Sequence, residues 1–361
     1  MRVRKSLAIA VAATAGVAVS VGVSASAAQA ATTVVTLPIT HYSHMLVDAA
    51  HQHLFITSGY GSDSILVTDY SGQTVATIPN EPGATGLALS SDGSSVYAAL
   101  ANGDAISAIS TSTLSETARY ATGTGTEPTY VAYSSGRIWF GYGEATQGGI
   151  GSIDPSTSPA TVTLNAAPGS WYYAPLVTAA AGGELVAGEP SSSPVQLASY
   201  DVSSGTATVL APERFFYEDA NLMSMQITPD GTDVVLAGGG PNAQEVFRVS
   251  DLSAAGTYPT TWLANSVSIA ADGAVAAGTC CGYSADGAET NELFMFVAGS
   301  TTPENIITFG DNWLADDGAA LAPDGTELFA ITTGDGTTGT PQLNIVPDPE
   351  VPTPSHHHGK G

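Results

Sequence analysis

The stretch Thr85-Gly86-Leu87-Ala88-Leu89-Ser90-Ser91-Asp92-Gly93-Ser94-Ser95-Val96-Tyr97-Ala98-Ala99-Leu100 places two apolar runs on either side of a Ser-Asp-Gly turn. Gly accepts a positive φ and the Asp carboxylate can bond nearby backbone N–H groups, so the pattern reads as a tight β-hairpin. The same unit recurs along the chain. Its turns fall at Asp92-Gly93, Ser135-Gly136, Gly182-Gly183, Asp230-Gly231, Asp272-Gly273 and Asp324-Gly325, with Ala50-His51 as an earlier, weaker copy. Successive turns lie about 42–52 residues apart, a period that in all-β sequence marks the blade of a propeller.

Each unit reads as a four-stranded antiparallel sheet. In the second unit the strands are expected at Thr85–Ser90, Ser95–Leu100, Ala105–Ser110 and Glu116–Ala121. β-Branched and aromatic residues fill the runs, and helix-period patterns are nearly absent. The third strand ends on Asp at Asp69, Asp154, Asp201, Asp251 and Asp348, which read as repeated turn caps rather than a ring of ligands. The seventh unit, Gly318–Leu321, Glu327–Thr332 and Gln342–Val346, lacks a strand, while Thr33–Ile39 has no sheet of its own. Pairing Thr33–Ile39 beside Gln342–Val346 closes a ring of seven blades and removes the free edges that invite aggregation. The expected fold class is therefore all-β, a seven-bladed β-propeller of four-stranded antiparallel blades closed by the N-terminal strand.

The chain ends and composition bound the function. Residues 1–30 read as an export signal, with Arg2, Arg4 and Lys5 ahead of the apolar run Leu7 to Val23 and Ala28-Gln29-Ala30 before a cut. The propeller is expected over 31–349 and a Pro- and His-containing tail over 350–361. That tail holds His356-His357-His358, read as an incidental feature rather than a metal site. The signal would remove three of the eight basic residues and none of the 33 acidic ones, leaving five against 33, a balance of −28. Such a field repels nucleic acid and anionic lipid. The chain is thus expected to be secreted, extracellular and monomeric, with no membrane insertion after cleavage. No cofactor is expected, although the surplus carboxylates leave room for Ca²⁺.

The only cysteines, Cys280 and Cys281, are adjacent, about 3.8 Å apart at Cα and below the usual disulfide span. Either a strained vicinal disulfide or two thiols fits the sequence. No His or third Cys lies near enough in sequence to suggest a metal.

Ile78 to Gly93 followed by Val96-Tyr97-Ala98-Ala99, with Ile227-Thr228-Pro229-Asp230-Gly231 and Leu321-Ala322-Pro323-Asp324-Gly325, resembles the blade signature of the YVTN-type, WD40-like β-propellers. The resemblance covers nearly all of the chain after the signal and implies the fold rather than an activity, because that superfamily spans surface proteins, scaffolds and enzymes. Enzymatic relatives leave no trace here. The Ser-x-Asp-x-Gly-x-x-Trp box of sialidases is absent, and only Arg119, Arg137, Arg214 and Arg248 remain in the folded part. Quinone-dependent dehydrogenases share adjacent cysteines, but their tryptophan-rich repeat is missing. The late histidines of the streptogramin-lyase type are missing too, since no His lies between His53 and His356.

In a propeller the loops between blades share a face around the channel mouth. Three are aromatic: His41-Tyr42-Ser43-His44, Trp171-Tyr172-Tyr173, and Arg214-Phe215-Phe216-Tyr217-Glu218-Asp219. Asp311-Asn312-Trp313, followed by Asp316 and Asp317, makes a fourth. Aromatic faces with interspersed carboxylates suit a sugar, a peptide or an apolar ligand. The candidate ligand-binding residues are His41, Tyr42, His44, Trp171, Tyr172, Tyr173, Arg214, Phe216, Tyr217, Glu218, Asp219 and Trp313. The expectation is a binding or interaction module for an extracellular protein, peptide or glycan. Its alternative is a lyase or hydrolase using mouth carboxylates, which requires two or more of His44, Glu218, Asp219, Asp316 and Asp317 to converge.

Overall fold

A computed structural model describes residues 31–190, 192–216, 218–283, 289–334 and 339–350. The expected signal 1–30, Tyr217 and all of the expected tail after residue 350 lie outside them. Seven four-stranded antiparallel sheets follow one another along the chain, as the periodicity requires. Blade 2 is representative: Ala84–Leu89 at the axis, then Ser95–Leu100, Ala105–Ser110 and Ser115–Ala121 outward. A single 3₁₀ turn, Ala101–Gly103, is the only helix among the described residues; none is long and apolar enough to cross a membrane.

Closure follows the strand count. Blade 7 contains Trp313–Leu321, Glu327–Thr333 and Gln342–Pro347, and its outer strand is Thr33–Thr36. The register runs Thr33↔Ile345, Val34↔Asn344, Val35↔Leu343 and Thr36↔Gln342, and the Leu37 amide still donates to the Pro341 carbonyl at 3.0 Å. The strand therefore ends earlier than Ile39, because Leu37 turns into the core, where it is 1 % exposed. Seven apolar clusters result, one between each pair of neighbouring blades. In the cluster joining blade 7 to blade 1, Leu37, Phe329, Leu343 and Ile345 pack on Leu54 and Ile56.

Near the axis the sheets crowd, and polar side chains stitch blade to blade through backbone groups. Thr57 donates to the Thr85 carbonyl at 2.6 Å, Thr85 to Thr129 at 2.7 Å, and Ser134 to Ala180 at 2.8 Å. Ser266 and Ser268 accept from the amides of Ala319 and Leu321, each at 2.9 Å. Satisfying these buried groups internally lets the inner strands stand as rigid staves.

The aspartates at the strand ends are turn caps. Asp69 accepts at one oxygen from the Ser71 amide, the Ser71 hydroxyl and the Gln73 amide; Asp154, Asp201 and Asp251 each hold the amide two residues on. The hydrogen bonds from Ser156, Ser203 and Ser253 lower the carboxyls of Asp154, Asp201 and Asp251.

Candidate functional site

Each inner strand starts on the face that carries the blade-to-blade connections. His44, Gly86, Tyr130, Leu176, Ser224 and Ser266 occupy equivalent positions there, one per blade, as the repeat sets them. Blade 7 breaks the pattern. Leu314 pairs with Thr332 and Ala319 with Ala330, so the inner strand advances five residues while its partner advances two. The extra chain bulges into the mouth and carries Asp316 and Asp317, the latter in the left-handed region at φ +52°. Gly318 permits the bulge, because a Cβ there would lie 2.6 Å from the Ala315 carbonyl oxygen. Bulges that re-aim side chains in this way concentrate at functional rims.

Asp317 gathers hydrogen bonds from the entry to blade 1 and from blade 5. His44 Nδ1 lies 2.7 Å from its Oδ2, and the Ser224 hydroxyl donates to Oδ1 at 2.6 Å. The Tyr42 hydroxyl donates to its backbone carbonyl at 2.7 Å. Burial, then the charges of Asp317 and Asp316, push the Tyr42 phenol well above its ordinary value. Tyr130 enters the same corner from blade 3, its phenol pushed up to about 12 by burial and the Asp317 charge. Asn265 donates to Asp316 at 3.4 Å.

The chemistry open to this group is limited. Serine and imidazole both bond the carboxylate and not each other, so Ser224 has no base to activate it as a nucleophile. The carboxylate instead orients His44 and leaves its Nε2 free. Thus His44 and Asp317 do converge, as the hydrolase or lyase alternative requires, while Glu218 and Asp219 belong to another loop.

The second group lies between blades 3 and 4. Trp171 ends the outer strand Thr161–Trp171 and is 4 % exposed, packed in the core between those blades. Tyr172 and Tyr173 turn outward, 50 % and 45 % exposed, with rings edge-on at 4.7 Å. Their amides donate to the two oxygens of Glu189 at 2.8 and 2.9 Å. Glu189 is itself buried, and that burial raises its carboxyl even against the two amides. The Thr146 amide donates to the Tyr172 carbonyl at 2.7 Å. Gly148 makes room for the loop, since a Cβ there would meet the Tyr173 carbonyl oxygen at 2.0 Å.

The remaining expected site residues are dispersed. His41 is exposed beside Tyr60 in a separate hollow, so it does not join His44. Arg214 to Phe216 belong to the outer strand Thr208–Phe216, which corrects their placement in a loop: the outer strands of blades 3 and 4 run long because bulges let them follow the twist. Arg214 donates to the Leu252 carbonyl at 3.2 Å and lies over the Phe216 ring, while Phe216 packs on Phe247. Both serve the seam between blades 4 and 5. Glu218 is exposed, whereas Asp219 is buried and pushed up to about 8 by burial and by the neighbouring carboxylates of Glu245 and Glu218. Trp313 is half-buried at the start of its strand. Cys280 and Cys281 are bonded to each other at the end of the second strand of blade 6, with Cys281 at φ +66°. They precede a small strand pair, Gly282–Tyr283 with Glu289–Thr290. His51 and His53 stack at 6.0 Å, and Asp48 holds His51 Nδ1 at 2.8 Å. Among the described residues no three His, Cys, Asp or Glu are grouped so as to hold a metal ion.

No family model and no curated protein matches the chain. Among solved structures it is similar to Kuenenia stuttgartiensis hydrazine synthase, at 16 % identity and a TM-score of 0.60, over 87 % of this chain and 97 % of that one. It is also similar to the Myceliophteria thermophila Cps50 (Swd1) beta-propeller domain, at 13 % identity and a TM-score of 0.61, over 87 % and 98 %. At such identities these likenesses support the propeller fold alone.

Proposed function

We propose that the protein is an exported, monomeric binding module of the YVTN-like kind, taking an extracellular protein, peptide or glycan on the aromatic rim of its channel mouth. The observation that carries this reading is the Tyr172–Tyr173 pair. Two large rings stand half in water while their backbone is clamped by a buried carboxylate. Rigid aromatic area of that kind binds with little loss of conformational freedom, and the two rings offer one face and one edge to a sugar ring or an apolar side chain. The reading invokes no cofactor. Its alternative, a lyase or hydrolase, rests on the His44–Asp317 pair.

The test belongs on the exposed rings, because alanine at Trp171 would open a cavity in the core between blades. Replacing Tyr172 and Tyr173 together by Ala should lower retention on the cognate glycan or peptide in an array by about tenfold or more. The melting temperature should hold, since exposed substitutions usually change stability by only about 0.5 kcal/mol. Undiminished retention would remove the rim from consideration.

A further inference from the structure

A hollow of about 360 Å³ opens on the mouth face of blade 1. It lies between the chain's entry into the blade and the loop joining the second and third strands, His53–Thr57 and Ser64–Asp69. Thr40 and His41 line it from the entry, and Ser58, Tyr60, Ser62 and Ser64 from the loop and the start of the third strand. The chain carries 33 acidic residues and eight basic ones, and none of them lines this hollow.

Its polar groups are idle while its frame is fixed. Among the described residues, the hydroxyls of Thr40, Ser58 and Ser64 and the His41 ring have no hydrogen-bond partner. Ser62 is engaged, its hydroxyl donating to the Ser64 carbonyl at 3.3 Å. The loop backbone is tied to blade 2. The Gly59 amide donates to the Ala84 carbonyl and the Gly83 amide to the Ser62 carbonyl, each at 2.8 Å, and the Gly61 amide donates to Asn102 at 3.3 Å. Gly59 and Gly61 hold φ of +73° and +84°, a turn that glycine makes without strain. Tyr60 stands between them, 53 % exposed. Its backbone is held and its ring faces water.

We propose that this hollow binds one neutral pyranose ring, carried by a free monosaccharide or by the end of a glycan. A hydroxyl both donates and accepts and rotates to suit its partner, and a neutral imidazole has one nitrogen of each kind. Such groups match the vicinal hydroxyls of a sugar, whose C–H face stacks on an exposed tyrosine ring. A charged ligand would give up water with no counter-charge in the lining. An anion would also meet the field of Glu127 and Glu144, which add to burial in raising the Tyr60 phenol. An extended peptide is captured at an open strand edge, but Ser64–Asp69 is already paired on both sides. The site shares no residue with the Tyr172–Tyr173 rim or with the His44–Asp317 pair, so each can fail alone.

The experiment is saturation-transfer NMR of the full chain with the methyl glycosides of glucose, galactose and mannose at up to about 0.1 M. At least one is expected to saturate. Tyr60→Ala should weaken it by about tenfold or more, whereas Tyr60→Phe, which keeps the stacking face, should stay within about threefold. Ser58→Ala combined with Ser64→Ala should also cost about tenfold. The melting temperature should hold in these variants, because the ring is exposed and the hydroxyls bond nothing in the fold. Should one of them melt low, the unaltered protein decides: glucosamine and glucuronate must both bind more weakly than glucose. The Tyr172→Ala, Tyr173→Ala double variant should bind the glycoside as the intact chain does. A trisaccharide ending in the preferred sugar that displaces the glycoside assigns the hollow to glycan ends, and one that does not assigns it to free sugars. Three glycosides that fail to saturate, undiminished binding in Tyr60→Ala, a loss in the Tyr172, Tyr173 double variant, or a charged sugar that binds more tightly than glucose overturns the proposal.

Discussion

A chain that begins at Pro38, lacking the strand Thr33–Thr36 and Leu37, is expected to lose its cooperative fold. The strand supplies the fourth member of blade 7, and the partner Gln342–Pro347 would be left with an open row of amides and carbonyls. Leu37 also leaves the core between blades 7 and 1, where it touches the cluster containing Phe329 and Ile345. Truncating a buried leucine alone costs about 2–5 kcal/mol, and deletion adds the lost ladder. A ring differs from an open stack here. Once the seam between the last and first blades loosens, the other interfaces lose the constraint that fixes their angle. The melting temperature should fall by about 10 °C or more, with association through the bare edge visible in light scattering. A synthetic peptide of residues 31–39 added in trans should restore the monomeric profile. A truncated chain that melts and elutes like the intact one would show that closure does not depend on this strand.

That latch was legible in the sequence because its evidence is arithmetical: one blade short of a strand and one strand short of a blade. The blades were legible because their turns are local chemistry. Blade 2 falls within one residue of its expected bounds throughout. The site was far harder to read. Tyr42 and Asp317 are 275 residues apart, and Ser224 joins them from blade 5 without belonging to any aromatic or acidic run. The one available signal was the repeat itself, which aligns His44, Tyr130 and Ser224 at the same offset in their blades. The bulge that projects Asp317 gave no warning, because the left-handed residue is an aspartate where a glycine would have flagged it. Arg214 and Trp171 misled for the converse reason. Their aromatic surroundings suggested a mouth, but long, twisted outer strands claim both for packing between blades. Glu189 and Glu245 went unread because each acts on a loop remote in sequence, one clamping the Tyr172–Tyr173 backbone and the other raising Asp219.

Buried carboxyls should also give the fold a stability that declines as the pH rises toward neutrality and beyond. Glu81 has no exposed surface; its Oε1 accepts from Ser107 at 3.2 Å, and Oε2 has no donor. Arg119 stands 3.8 Å away and is committed to Glu116 at 2.6 Å, so burial prevails and pushes Glu81 up to about 7. Asp219 is pushed up to about 8 by burial and by Glu245. In the unfolded chain both release their protons near about pH 4. The folded state therefore binds more protons than the unfolded state through the window from about 4 to 8, and stability falls as pH rises across it. The turn-capping aspartates work in the opposite sense at lower pH. Asp92, lowered to about 2 by bonds from Ser90 and Ser94, contributes stability that is lost progressively as pH falls from about 4 through that value. Denaturant unfolding at about pH 4.5 and 8.5 should accordingly differ by roughly 1–3 kcal/mol, the acid condition being the more stable. Asp219→Asn, whose amide can still donate to Glu245, combined with Glu81→Gln, should flatten that difference while leaving the acid limb in place. A slope unchanged in the double variant would assign the pH dependence to other groups and release both carboxyls from this role.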